Sequence, residues 1–253
     1  MRPIGLTSVT FRELTAAKII ALAAQTGCAG IEWGSDVHVP TGQLDCAEQI
    51  KAQCRQHQLA IFSYGSYYKL NQGLKPEVDF QAYLDSAVKL GAPLIRIWAG
   101  RTASAQADAD FFERAVAETQ QCCDLAAQAG IEVAFEYHRK SLTDNSVSAV
   151  RLLNAVNRKN CRTYWQPNPE KSVEENLQEL TDILPWLARV HVFSWNSDNA
   201  RLPLADQEKA WKHWLKIIPE SIPLILEFVK DDQPAQFQMD VKALRGWCNT
   251  TQK

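Results

Sequence analysis

The sequence predicts one (β/α)8 barrel spanning residues 1–253. The chain has 253 residues, close to the usual length of one complete eight-fold barrel. Short β-rich runs alternate eight times with longer helical patterns, and such alternation implies parallel strands joined by right-handed crossovers. The strand ends fall about 31 residues apart on average, near one-eighth of a ~250-residue barrel. A doubly wound open sheet is the competing arrangement, but eight units of even length favour closure.

In chain order, the strand-like runs are Ile4–Thr10, Gly30–Trp33, Leu59–Tyr64, Leu94–Trp98, Val133–Tyr137, Cys161–Gln166, Val190–Phe193 and Leu224–Phe228. The helices between them rest on periodicity. Ala149, Leu152, Leu153 and Val156 recur at i, i+3, i+4 and i+7, and Val173, Leu177, Leu180 and Leu184 form a second stripe. Pro234 suits the first turn of the last helix. Gly27, Gly91 and Gly130 stand between helical stretches and strands, where left-handed helix stops belong. The irregular stretches Gly34–Gln43, Tyr67–Lys75 and Trp195–Asp206 all follow strands, so in a barrel they share one mouth.

Composition narrows the class. Hydrophobic residues make up 46% and charged residues 22%, which are globular values, and the net charge is -2. Acidic and basic residues are interspersed, so the chain lacks the basic stripe of a nucleic-acid binder. The seven cysteines are odd in number and none lies in a CxxC pair, so reduced thiols in a cytoplasmic protein are expected. Strand-like residues from Ile4 leave no room for a signal peptide. No apolar run approaches the ~18 residues that would span a membrane.

The chemistry is expected at the ends of strands five to eight. A strand points alternate side chains to opposite faces. In VAFEYH, Val133, Phe135 and Tyr137 would face the helices while Ala134, Glu136 and His138 face the axis. In LILEFV, Leu224, Leu226 and Phe228 would face out, with Ile225 and Glu227 facing in. His191 points inward between Val190 and Val192, and Tyr164 and Gln166 share one face. Two buried carboxylates near one another are costly without a cation. A divalent ion removes that cost, and carboxylate, amide and imidazole donors suit Mn²⁺, Mg²⁺, Co²⁺ or Zn²⁺. The competing reading pairs Glu136 and Glu227 with barrel arginines such as Arg96, Arg162 or Arg189.

The stretches GIEWGSDVHVP, SYGSYY, IRIWAG, VAFEYH, TYWQP, VHVFSW and LILEFV, in this order and spacing, resemble the xylose isomerase-like TIM-barrel superfamily, specifically its sugar phosphate isomerase/epimerase branch. The resemblance covers nearly the whole chain. It implies Glu, Asp, His and Glu ligands for one divalent metal ion, and by position these roles fall on Glu136, Gln166, His191 and Glu227. Gln166 departs from the pattern, which has Asp there, and Pro169 stands where a histidine commonly follows. A neutral amide removes one negative charge, so weaker or altered metal binding is expected. The resemblance also implies that Glu136 and Glu227 are catalytic, moving a proton through an enediolate in isomerisation or epimerisation of a sugar or sugar phosphate.

Other mouth residues are candidates for substrate binding. His38 follows the second strand, His138 shares the inward face of Glu136, and Arg201 resembles the family's arginine after strand seven. A plain loop role is the alternative for His38, and a solvated loop arginine the alternative for Arg201. Among the aromatics, Tyr68, Trp98 and Trp195 are the better candidates to pack against sugar C–H faces, whereas Trp33 and Trp165 have the parity of helix-facing residues. Glu32 and Arg96 are expected to form an internal ion pair or to line the pocket floor.

Alternatives are a lyase or dehydratase acting on a sugar-like cyclitol, a non-catalytic sugar-binding relative, and a multi-zinc hydrolase acting on DNA. Five histidines and a net charge of -2 argue against the last. No phosphate cradle is evident, so free and phosphorylated sugars both remain open. Trp186, Trp211, Trp214 and Trp247, on outer helices, suggest a surface for a homo-oligomer.

Overall fold

The β-rich runs form eight parallel strands: β1 (Ile4–Thr7), β2 (Gly30–Gly34), β3 (Ala60–Lys69), β4 (Leu94–Trp98), β5 (Glu132–Phe135), β6 (Cys161–Trp165), β7 (Leu187–Val192) and β8 (Leu224–Leu226). In the computed structural model, which describes residues 2–71 and 79–250, each strand pairs with the next. β1 pairs with β8 through Ile4–Leu224 and Leu6–Leu226, closing the barrel. The intervening helices are α1 (Ala16–Gln25), α2 (Leu44–Gln56), α3 (Phe80–Leu90), α4 (Ala109–Gln128), α5 (Ser146–Val156), α6 (Val173–Ile183), α7 (Glu208–Trp214) and α8 (Pro234–Thr250).

Local chemistry sets the helix ends. Thr15, Asp108, Asn145 and Ser172 each accept a hydrogen bond from a first-turn amide, and Ser172 and Glu175 form a reciprocal capping box. Gly91 ends α3 at φ 76, a left-handed conformation that spares glycine a Cβ clash. The periodic stripe of α5 is realised, with Ala149, Leu152, Leu153 and Val156 all buried.

Between strands and helices lies a continuous apolar layer that includes Leu6, Ile31, Trp33, Val133, Phe135, Trp165, Leu224 and Leu226. Leu94, Ala134, Tyr164 and Ala188 form a separate cluster inside the barrel. Gly5 and Gly30 make room for a plug beneath it. A Cβ on either would stand 2.6 Å from the Phe62 ring and collide with a neighbouring strand carbonyl.

Three expectations change. The first strand stops at Thr7 because Ser8–Phe11 coil into a 3-10 turn. β3 runs to Lys69, so the loop expected over Tyr67–Lys75 begins later, and its residues 72–75 lie outside the described residues. β8 ends at Leu226, and Phe228 takes a left-handed φ of 48. Strand alternation therefore fails there, and Phe228 lies at the mouth rather than facing the helices.

The outer-helix tryptophans are also corrected. Trp211, Trp214 and Trp247 are buried in the protomer. Trp165 packs edge-on against Trp211 and Trp214 at 6.1 and 5.3 Å, and the Trp211 and Trp214 indoles donate to the carbonyls of Phe193 and Val173. Trp211 and Trp214 fill the gap between β6 and α7, so they are packing residues rather than an exposed apolar face. Trp186 is half-buried. No helix among the described residues is long and apolar enough to cross a membrane. None of the seven cysteines forms a disulfide.

Candidate metal centre at the barrel mouth

Glu136 and Glu227 each follow the last residue of a strand, and the backbone ladder extends just far enough to hold them. The Glu136 amide donates to Ile97 O at 2.9 Å, and the Glu227 amide donates to Val192 O at 3.0 Å. His191 comes from within β7, and Gln166 directly follows β6. Four neighbouring elements thus aim at one point. One donor atom each from Glu136, His191 and Glu227 fits within a 4.8 Å span, and all three residues are buried.

Beneath them lies an ionic floor. The Glu32 carboxylate, fully buried on β2, accepts from Ser63 Oγ at 2.8 Å, Tyr164 Oη at 2.7 Å and Arg96 at 3.2 Å, and lies 3.1 Å from His191 Nε2. Arg96, on β4, also approaches Glu136 at 3.5 Å and Glu227 at 4.0 Å. Burial alone would raise the Glu32 pKa, but Arg96 and then His191 overcome it and hold the carboxyl well below its usual range. Burial lowers the His191 pKa, yet Glu227 and Glu32 raise it further, so its net shift is upward. The Glu227 carboxyl is pushed up by burial, partly offset by His191.

The donor set fits a divalent cation. Three buried carboxylates face one guanidinium, leaving two negative charges uncompensated when His191 is neutral. Glu136 Oε2 is buried without a hydrogen-bond partner. His191 Nδ1 is approached by Gln166 Oε1 at 3.1 Å and Glu227 Oε2 at 3.3 Å. If its Nε2–H donates to Glu32, Nδ1 presents a lone pair to two other acceptors, a convergence that a cation relieves. A carboxylate behind a ligating imidazole is the usual means of fixing that tautomer.

The pairing of Glu136 and Glu227 with Arg96 is real but incomplete. Arg96 is shared with Glu32 and leaves Glu136 Oε2 unsatisfied. Arg162 instead approaches Glu132 at 3.7 Å, and Arg189 donates to the carbonyls of Phe62 and Ala188.

A small cavity opens above the cluster, bounded by Glu136, His138, Gln166, Trp195, Glu227 and Phe228. His138 stacks on Trp98 with ring centres 4.4 Å apart. Its Nδ1 donates to Arg139 O at 2.6 Å, so Nε2 is left as an acceptor in the neutral ring. Arg139 bridges the loops after β6 and β7 by donating to Glu170 and Asn199, each at 2.7 Å. Arg201 pairs with Asp232 and lies over the Phe228 ring.

Two candidates for substrate contact are displaced. Tyr68 donates to Glu118 at 2.6 Å and packs edge-on against Phe80 and Tyr83, because β3 continues past the mouth and turns this ring toward α3 and α4. His38 is buried in its loop against Trp33, with Nε2 at 2.9 Å from Leu14 O, and does not line the cavity. Tyr164 and Ser63, which anchor Glu32, were missed, although the inward parity shared by Tyr164 and Gln166 was a usable signal. Phe228 and Arg139 had none, since loop geometry places them.

The profile described as "Xylose isomerase-like TIM barrel" matches residues 20–218 of this sequence. The chain belongs to the xylose isomerase-like TIM barrel family. A comparison with curated protein sequences found no match. Among solved structures, the chain is similar to the probable 3-DHS dehydratase AsbF, involved in petrobactin synthesis, from Bacillus anthracis. The TM-score is 0.80 and the identity 17%, covering 97% of this chain and 99% of that one. A D-allulose 3-epimerase from Methylomonas sp. gives a TM-score of 0.68 at 18% identity, covering 98% and 96%. A family member from Mycobacterium smegmatis, in complex with magnesium, gives 0.71 at 15% identity, covering 100% and 98%. At these identities the likeness is one of fold.

Proposed function

We propose that this family member is a divalent-metal-dependent isomerase or epimerase of a small sugar or sugar phosphate, with residues 1–253 forming one catalytic barrel. The observation that carries the reading is the buried cluster of Glu136, His191 and Glu227, in which three carboxylates share Arg96 and Glu136 Oε2 makes no hydrogen bond. Glu136, Gln166, His191 and Glu227 would hold Mn²⁺, Mg²⁺, Co²⁺ or Zn²⁺, which supplies Lewis-acid polarisation of a substrate carbonyl.

Glu136 and Glu227 are the proton carriers. Glu227 suits the task by position, since it lines the small cavity opposite Glu136. Proton removal beside the carbonyl gives an enediolate. Return to the opposite face epimerises the carbon, and return to the neighbouring carbon isomerises the sugar. His138 accepts a substrate hydroxyl through Nε2, Trp98 fixes its ring, and Trp195 offers an apolar face. Arg201, already paired with Asp232, contributes from the rim. Seven cysteines with no disulfide among them are consistent with a cytoplasmic enzyme.

A lyase that uses the same proton abstraction and then expels a hydroxyl is the second reading, favoured by the likeness to a dehydratase. The test is carbon-bound deuterium incorporation from D₂O into ketoses and ketose phosphates by the metal-loaded protein. Incorporation that a chelator abolishes and Mn²⁺ restores supports the proposal. Loss of water from the substrate assigns the lyase instead. One metal retained in full by the double variant Glu136→Gln, Glu227→Gln overturns the ligand assignment.

A further inference from the structure

The cavity above the metal cluster is small, about 70 Å³. Ligand pockets commonly measure about 300–1,000 Å³. This one has room for the carbonyl end of a sugar but not for a whole hexose ring. Beside it lies a second cavity of about 560 Å³, between the loops after β6 and β7 and the first turns of α6 and α7. The two share a wall made by Pro167, Asn168, Pro169, Phe193 and Trp195.

The wall chemistry selects the occupant. The Trp195 ring stands between Phe193 and Phe228, and its Nε1–H is buried without an acceptor. Val173, Ala210 and Trp214 add apolar surface to the second cavity. The charged residues there give no net attraction for an anion: Lys171 is paired with Glu179, Glu208 with Lys212, and Lys209 is offset by Asp206. A neutral group with flat C–H faces fits this lining better than a phosphate.

We infer that the second cavity is an extension subsite for a neutral glycosyl group, so that the favoured substrate is a ketose carrying a second sugar remote from its carbonyl. This rests on the proton-transfer reading of the metal centre. The reducing unit places its carbonyl in the small cavity, and the appended ring lies across Trp195 in the larger one.

The test uses the full-length, Mn²⁺-loaded protein and measures kcat/KM for deuterium incorporation. Substrates are D-ketohexoses, each free and carrying a glucosyl group on O4 or O6. At least a tenfold preference for a glucosylated form is expected. Ala210→Phe, which fills the second cavity, removes that preference and leaves the free ketose unchanged. Ala205→Trp, at an exposed position lining the same cavity, repeats the experiment if Ala210→Phe does not fold. Equal rates with and without the glucosyl group, unmoved by either plug, overturn the extension subsite and leave the metal-centre reading intact. Absence of exchange from every free and glucosylated ketose overturns both.

Discussion

Replacing Glu32 by glutamine keeps the shape of the barrel floor and removes one charge. The carboxylate has four partners: Arg96 at 3.2 Å, His191 at 3.1 Å, Ser63 at 2.8 Å and Tyr164 at 2.7 Å. Hydrogen bonds to a charged group exceed neutral ones by about 1 kcal/mol each, so four give a loss of about 4 kcal/mol. Breaking a buried ion pair independently suggests about 3–5 kcal/mol, or a Tm lower by roughly 6–20 °C in a chain of this size. The assay is thermal unfolding followed by circular dichroism at neutral pH with chelator present. The sign of the pH dependence is fixed: the folded pKa of Glu32 lies below its unfolded value. Its contribution is therefore present above the unfolded pKa of about 4.3 and is lost as the pH falls toward the folded value. The gap between wild type and Glu32→Gln should narrow in acid. Glu136→Gln is the contrast, because Glu136 Oε2 meets Arg96 at 3.5 Å without a hydrogen bond, so without metal it should cost less than Glu32→Gln. An equal Tm loss in both variants, or a Glu32→Gln protein as stable as wild type, would refute the account of the floor.

Gln166→Glu puts a carboxylate 3.1 Å from His191 Nδ1 and should tighten Mn²⁺ binding at least about tenfold, or 1.4 kcal/mol. An unchanged Kd by calorimetry would remove Gln166 from the ligand set. Ser172→Ala breaks the capping box of α6 and should cost about 0.5–2 kcal/mol in urea unfolding, with activity retained. Six of the seven thiols are buried and Cys46 is half-buried, while burial pushes the Cys54 thiol up to about 11. Ellman titration at pH 8 should therefore show one fast thiol in the native protein and seven after denaturation. Several fast native thiols would contradict the packing.

Periodicity was enough to read the barrel, because strand and helix patterns alternate without interruption and β4 matches its expected bounds, Leu94–Trp98. Strand parity also sent Glu136, His191 and Glu227 to one point, since a period of two is rigid wherever a strand is regular. It failed where regular backbone ends. Phe228 leaves the strand conformation one residue after Glu227, so parity no longer governs its side chain. Tyr68 was misplaced because β3 outlasts its expected end. A helix stripe shows which side chains of α7 group together, not that the gap between α7 and β6 takes both Trp211 and Trp214. The role of Arg96 as counter-ion to three carboxylates depends on strands far apart in sequence.

Arg96 has a consequence for how this site can change over time. It touches Glu32, Glu136 and Glu227 at once, so losing it strands three buried charges, and losing Glu32 unsettles both Arg96 and His191. Single steps through the floor carry a stability cost that matched replacements of these residues would share. The rim residues Trp98, His138 and Trp195 take no part in that charge network. New substrate preferences can therefore arise there one substitution at a time, above a charge network that stays fixed.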